Sequence, residues 1–240
     1  MIQNMRLLSV NISSGASSTI RNGVGNGYDP VNAIGYNSLD NYLYGTVYYA
    51  LNLSSSLIRI GSNGDSQIIL PALPFTLSGA LGGFPGAGDV DEQGQYWVTV
   101  GGQSWVQIDL KPGSATYGKV RNTGVASLAN FVTDWAWVPG GGDALYGFAY
   151  NPLAILALSR TYLMRFDRAQ KSWTQVADYG NLVGANQWGA VYAGDDGFLY
   201  ASEQSTGQIW RFPLNGTTPV RVATGPSGEN NDGARCVRAR

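Results

Sequence analysis

The stretch Gly189-Ala-Val-Tyr-Ala-Gly-Asp-Asp-Gly-Phe-Leu-Tyr-Ala201 decides the fold, because its pattern returns along the whole chain. It contains an apolar segment, a tight Asp/Gly turn and a strand with an aromatic residue. Segments with the same pattern begin near four other positions, which are Ala33, Gly88, Asp134 and Asp232. Asp, Asn and Gly tolerate the positive φ that a two-residue hairpin turn requires, so each segment is predicted to be a β-hairpin.

A second short strand, closed by a turn, follows each hairpin. In the five copies, the last apolar residue of this strand is Val10, Ile60, Ile108, Phe166 and Phe212. Successive copies are therefore 46 to 58 positions apart. Internal repeats of this length, built from strands, are typical of a β-propeller. Five copies of each half predict an all-β fold, a single β-propeller domain over residues 1–240. It would have five blades of four antiparallel strands, named a to d from the axis outwards.

The two ends of the chain are complementary. Residues 6–12 form a second half that has no first half before it, whereas residues 230–236 resemble the start of a first half. We therefore expect both termini to complete the fifth blade. The alternative is that the chain is a fragment.

Composition excludes several classes of function. The formal net charge is −1, 13% of residues are charged, and no Lys/Arg cluster could neutralise a run of phosphates, so we expect no nucleic-acid partner. The apolar run 152–158, for which one helical turn or an extended excursion is possible, is too short to cross a bilayer, so we expect no membrane insertion. The chain has no histidine, which removes Ser-His-Asp and Cys-His nucleophiles and His-ligated metals, and we expect no metal or other cofactor. The single cysteine, Cys236, cannot form an internal disulfide.

Two sets of side chains repeat in register. One aromatic residue from each of four modules is expected to pack between neighbouring blades: Tyr44, Trp97, Tyr146 and Tyr200. An arginine on the following strand is expected to pair with carboxylates across blades, such as Asp167. These arginines are Arg59, Arg165 and Arg211.

The candidate binding residues come from the start of strand a and from the b–c connectors, which propeller topology places around one mouth of the central channel. The predicted ligand-binding set is Asp89, Asp91, Trp105, Asp134, Asn186, Trp188, Glu203 and Asp232. These polar side chains have two interpretations. They cap loop amides and hold channel water, or they form a ring of carboxylates, amides and aromatics for a sugar or a cation. No residue is assigned a catalytic or metal-binding role.

Several phrases resemble a known family. They include Tyr-Asn-Ser-Leu-Asp-Asn-Tyr-Leu-Tyr-Gly at 36–45, Asp-Trp-Ala-Trp-Val-Pro-Gly-Gly-Gly-Asp at 134–143 and Asn-Asn-Asp-Gly-Ala-Arg-Cys at 230–236. Together they resemble a family of uncharacterised, mostly secreted proteins, which is common in fungi and also occurs as modules of bacterial surface proteins. The resemblance implies a propeller in a secreted or cell-surface setting, and it brings no established activity. Family members resemble one another in an N-terminal cysteine and a signal peptide, and residues 1–10 show neither.

These observations favour a lectin-like, non-catalytic recognition module that binds a glycan or a cell-wall component through the loop face of the propeller. One alternative is a carbohydrate-active hydrolase or lyase that uses channel-mouth carboxylates. Another is a protein-binding scaffold.

Overall fold

The computed structural model describes residues 1–75, 84–151 and 159–236, and these form five four-stranded antiparallel sheets. Blade 1 contains β4 (Val31–Asn37), β5 (Tyr42–Tyr49), β6 (Ser54–Ile60) and β7 (Ser66–Leu70). Blade 2 contains β8 (Ala87–Val90), β9 (Gln95–Val100), β10 (Ser104–Asp109) and β11 (Val120–Val125). Blade 3 contains β12 (Phe131–Trp137), β13 (Ala144–Tyr150), β14 (Tyr162–Asp167) and β15 (Ser172–Asp178).

Blade 4 contains β16 (Trp188–Ala193), β17 (Leu199–Glu203), β18 (Gln208–Phe212) and β19 (Val220–Thr224). Blade 5 takes its innermost strand, β20 (Asn231–Asp232), from one end of the sequence and its other three from the opposite end. Those three are β1 (Ile2–Gln3), β2 (Arg6–Val10) and β3 (Ser17–Arg21). Ile2 pairs with Asp232 and Gln3 with Asn231, so both ends of the chain complete one sheet, as predicted.

The five sheets form a ring. The innermost strands β4, β8, β12, β16 and β20 each contact the next, and β20 returns to β4. This is a five-bladed β-propeller, which confirms the predicted fold class. Tight turns join strands a and b, and Asn41, Gly94, Gly142 and Gly197 have φ between +63° and +79° there. These are the Asp/Asn/Gly turns on which the prediction rested.

The core lies between the blades, and the outermost strands face solvent. Tyr44, Trp97, Tyr146 and Tyr200 are all buried, which confirms their predicted place. Trp97 of blade 2, for example, packs against Phe166 of blade 3 with the ring centroids 6.3 Å apart. Aromatic pairs of this kind add to the free energy gained from area burial.

The predicted pairing with Asp167 is confirmed for Arg165, but the prediction that the repeated arginines pair with carboxylates across blades was wrong. Arg59 lies over the ring of Tyr42, Arg165 contacts Asp167 at 3.1 Å, and Arg211 lies over Phe198. Tyr42, Asp167 and Phe198 each belong to the same blade as the arginine that they contact. Ion pairs between blades are made by other arginines. Arg168, in the turn after β14, contacts Asp91 and Glu92 of blade 2, and Arg21 of blade 5 contacts Asp65 of blade 1.

The apolar run 152–158 lies outside the described residues. Within those residues, no helix is long and apolar enough to cross a membrane.

Candidate functional site

One end of the propeller axis opens into a depression of about 180 Å³, which we call the wide mouth. It lies where strand d of one blade leads into strand a of the next, and every blade contributes to its lining. The lining residues are Asn32, Phe84, Gly86, Phe131, Thr133, Tyr150, Gln187, Gln204 and Asn230. Three of the inner strands carry a β-bulge near this end, between Asn32 and Gly35, Val132 and Asp134, and Trp188 and Ala190. Bulges re-aim side chains, which is why they often occur beside functional sites.

The described lining of the wide mouth has no charged side chain and combines polar side chains with the aromatic rings of Phe84, Phe131 and Tyr150. Amides and a hydroxyl supply hydrogen-bond donors and acceptors, from Asn32, Thr133, Gln187, Gln204 and Asn230. Two aromatic pairs stand at its rim: Phe84 lies 5.3 Å from Tyr48, and Phe131 lies 5.8 Å from Tyr150, between ring centroids. Such a surface suits a ligand that has both hydroxyls and an apolar face.

Directly beneath the wide mouth, three buried polar atoms have no hydrogen-bond partner. They are Oδ1 and Nδ2 of Asn231 and Nε2 of Gln3. Gln3 and Asn231 are opposite each other in the β1–β20 ladder, so their side chains are neighbours on one face of the sheet. Buried polar groups nearly always have partners, so an unpaired cluster beside an opening requires an explanation.

The opposite end of the axis, which we call the narrow mouth, encloses only about 10 Å³, or room for roughly one water molecule. It is lined by residues at the far ends of the inner strands, among them Tyr36, Asp89, Asp91, Trp137 and Tyr192. The structure therefore separates two of the predicted binding residues, Asp89 and Asp91, from the wide mouth.

Asp89, Asp134 and Asp232 join successive blades. In each aspartate, one carboxylate oxygen accepts a hydrogen bond from the backbone N–H of the residue that follows it. These residues are Val90, Trp135 and Gly233. The other oxygen accepts an N–H from the inner strand of the following blade. The donors are Trp137 to Asp89 at 2.8 Å, Val191 to Asp134 at 2.6 Å and Ile34 to Asp232 at 3.0 Å. At the junction of blades 1 and 2, the Tyr96 hydroxyl donates to the Ala33 carbonyl instead.

Burial shifts the acidity of these carboxyl groups. Desolvation raises the pKa of Asp89 to about 7, despite the hydrogen bonds from Trp137, Val90 and Tyr36 that lower it. Desolvation also raises the pKa of Asp134 and of Asp232 well above its usual value, and in Asp134 the nearby charge of Asp232 adds to the effect. A buried carboxyl without a cation partner favours the neutral form.

Asp91 belongs to a network between blades. Its carboxylate accepts hydrogen bonds from the amides of Gln93 and Gln95 and from the Trp97 indole, and it pairs with Arg168. Arg168 also contacts Glu92 at 2.9 Å and Asp143 at 2.7 Å.

Asn186 and Glu203 hold loops in place. The Asn186 side chain accepts hydrogen bonds from Thr161, Leu182 and Val183 and donates to the Ser159 carbonyl. Glu203 is fully buried and accepts from Ala185, Ser205 and Thr206. These bonds leave little of either side chain for a ligand.

The two predicted tryptophans are also buried. Trp188 donates its indole N–H to the Thr161 hydroxyl and packs against Phe148 and Phe212. Trp105 lies between Trp97 and Phe166, with the Lys171 ammonium 5.5 Å from its ring.

The structure thus does not gather the predicted set at one mouth. Asp134 and Asp232 lie along the axis, Asp89 and Asp91 at the narrow mouth, and the other four in blade or loop packing. A binding role for these eight residues stays a prediction. Sequence reasoning missed Thr133, Gln187, Gln204 and Asn230. A usable signal existed for two of them, because Gln187 and Asn230 each stand just before a strand a. Among the described residues, no group of three or more Cys, Asp or Glu side chains could hold a metal ion.

Solved structures resemble this chain in fold. A streptogramin B lyase has a TM-score of 0.50 and 14% identity, with 96% of this chain and 66% of that chain covered. A catalytically inactive virginiamycin B lyase from Staphylococcus aureus, solved with quinupristin, has a TM-score of 0.48 and 14% identity over 93% of this chain and 80% of that one. The Dos1 propeller has a TM-score of 0.47 and 8% identity over 81% of this chain and 47% of that one. At these identities, the likeness to the first structure supports the propeller fold alone.

No curated protein matches the chain in sequence. A family profile does match, over residues 3–238, and its description is a repeat of unknown function, DUF6923. Since this match spans nearly the whole sequence, the chain belongs to the DUF6923 family.

Proposed function

We propose that this propeller is a non-catalytic recognition module that binds a glycan through the wide mouth. The observation that carries the proposal is the convergence of neutral amide and hydroxyl side chains from four of the five blades, beside two aromatic pairs. Sugars present hydroxyls on their edges and C–H groups on their faces, and this surface offers partners for both. Small-molecule sites commonly combine apolar walls with a few polar groups in this way.

Hydrolysis of a glycoside has less support. It needs two carboxyl groups roughly 5–10 Å apart on either side of the bond that breaks. The described lining of the wide mouth holds no Asp or Glu, and Glu203, the nearest in sequence to Gln204, is fully buried with its oxygens hydrogen-bonded. We also propose that the recognition takes place outside the cell or at its surface, where glycans are abundant.

A glycan array on the purified protein tests the proposal, with a double variant in which Thr133 is changed to Val and Gln187 to Leu. We expect binding to a defined group of glycans, and loss of most of that binding in the variant. A matched control is Ser38→Ala, which changes a residue of the narrow mouth instead. The proposal fails if the array is blank, or if the double variant binds as well as the unmodified protein.

A further inference from the structure

The three unpaired atoms of Asn231 and Gln3 form a small polar cluster under the wide mouth. Asn231 offers one acceptor and one amide donor, and Gln3 offers a second donor. A single sugar hydroxyl donates one hydrogen bond and accepts others, so one hydroxyl can satisfy both polar atoms of Asn231. A water molecule can also satisfy both polar atoms of Asn231. A sugar hydroxyl in the same position would replace that water and make the same hydrogen bonds.

Gly189 keeps this cluster connected to the mouth. A Cβ atom built at Gly189 would lie 2.4 Å from Asn231 Oδ1 and 2.4 Å from Gln204 Nε2. The side chains of Asn231 and Gln204 therefore meet over Gly189, and Gln204 also lines the mouth. A change of the Gln204 rotamer, a common event when ligands bind, would expose the Asn231 amide.

The geometry points to a ligand of defined class. We propose, on the basis of the function proposed above, that the wide mouth binds the single terminal residue of a neutral glycan. One hydroxyl of that residue would displace the Gln204 side chain and bond to the Asn231 amide.

The size and charge of the site support this choice. About 180 Å³ is below the 300–1,000 Å³ typical of pockets for drug-sized ligands, so it suits one sugar ring better than a chain interior. The described lining contains no Lys or Arg that could pair with a carboxylate or sulfate.

Titration with methyl glycosides tests the ligand class. The panel contains the methyl glycosides of glucose, galactose, mannose and N-acetylglucosamine, with methyl glucuronide and methyl glucosaminide as charged counterparts. We expect at least one neutral glycoside to bind, and its charged counterpart to bind at least tenfold more weakly. If array-positive glycans are not displaced by any methyl glycoside, or are displaced best by a charged one, this inference is overturned while the proposed function stands. A blank array and a blank titration together remove both.

Asn231→Leu tests the residue. It removes both unpaired polar atoms, so we expect a higher Tm for the free protein together with at least tenfold weaker sugar binding. A purely structural asparagine would give the reverse, a lower Tm with unchanged affinity, which would overturn the inference. Asn215→Leu, at an exposed turn of blade 4, is the matched control and should alter neither.

Gly189→Ala provides a second variant in case Asn231→Leu does not fold. Its methyl group would occupy the space where Asn231 and Gln204 meet and would lie 2.8 Å from the Asn231 carbonyl oxygen, so we expect loss of sugar binding together with a lower Tm. In the unmodified protein, the side-chain amide NMR signals of Asn231 should shift on addition of the sugar. Retained binding in Gly189→Ala, or bound sugar without a shift at Asn231, would overturn the inference.

Discussion

Individual aspartates stabilise the ring through backbone hydrogen bonds. Asp134 accepts N–H bonds from Trp135 and Val191, and Asp232 accepts them from Gly233 and Ile34. Each carboxyl oxygen keeps a lone pair whether the group is ionised or protonated, so both bonds can be accepted, whereas an asparagine presents an NH₂ group, which cannot accept, to one of the two donors. The identity of these residues therefore matters even though no ligand need touch them.

Asp134→Asn tests this role. We expect the free energy of unfolding to fall by about 1–3 kcal/mol, because the Val191 or Trp135 N–H loses its acceptor inside the protein. Urea denaturation at pH 6 measures the loss. The control is Asp65→Asn on the exposed surface, with an expected change below about 0.5 kcal/mol. An equal effect of the two substitutions would contradict the assignment.

Asp89 makes stability depend on pH. Its pKa rises from 3.8 to about 7 on folding, so between these values the folded state binds more protons than the unfolded state. The contribution of Asp89 to stability is therefore greatest at low pH and falls as the pH rises from about 4 to about 7. The α-amino group of Met1 acts in the opposite direction. Burial lowers its pKa to about 6, so its contribution to stability rises with pH.

To isolate the contribution of Asp89, urea denaturation midpoints are measured from pH 4.5 to 8 for the unmodified protein and for Asp89→Asn. We expect the free energy of unfolding of the unmodified protein, minus that of the variant, to fall as the pH rises through this range. A difference that is constant with pH would show that Asp89 titrates alike in the folded and unfolded states.

At the scale of elements, turns of neighbouring blades are joined by charge. Arg168, in the turn between β14 and β15, reaches the β8–β9 turn of blade 2 through Asp91 and Glu92. The guanidinium and Asp91 are both almost fully buried. Removal of one partner from a buried pair leaves the other charge uncompensated, which is costly.

Arg168→Met is expected to lower the free energy of unfolding by about 3–5 kcal/mol. Arg160→Met is the matched control, because Arg160 pairs with Asp178 on the surface of the same blade, where half of its side chain is exposed. Its expected cost is below about 1 kcal/mol. Chemical denaturation of both variants gives the comparison, and a small loss for Arg168→Met would show that blades 2 and 3 are joined mainly by apolar packing.

The elements also show what the sequence could predict. Four hairpins with Asp/Asn/Gly turns and an aromatic residue in register predicted four blades, because these signals are local, and the complementary ends of the chain predicted the fifth. The wide mouth was harder to predict. Its lining residues lie just before strand a, among the first residues of strand a, at the end of strand b, or in a b–c connector, and the bulges at Asn32, Val132 and Trp188 shift by one position which side chains face the axis. Sequence alone does not show whether a side chain is buried. Trp188 and Asn186 were therefore predicted as binding residues, although both are buried in the packed interior.

At the scale of the whole molecule, closure depends on the shared blade. Ile2 is fully buried and packs with Val31, Ile34 and Ile58, so it joins blade 5 to blade 1. We expect Ile2→Ala to cost about 2–5 kcal/mol of unfolding free energy, as large-to-small changes in cores do. Calorimetry or denaturant unfolding measures it.

Ile20→Ala is its control, because Ile20 lies on the outer strand of the same blade with 45% of its surface exposed. A change within about 0.5 kcal/mol is expected there. If both substitutions cost the same, the contact of Ile2 with blade 1 does not hold the ring closed.

The shared blade also orders events during synthesis. β1, β2 and β3 are translated before the strands of the other four blades, whereas β20 is translated after them. Until Asp232 arrives, the Ile34 amide lacks its acceptor and β1 has no neighbour on its axial side. The blades therefore form an open arc until β20 has been translated, and β1 reaches its final pairing only then.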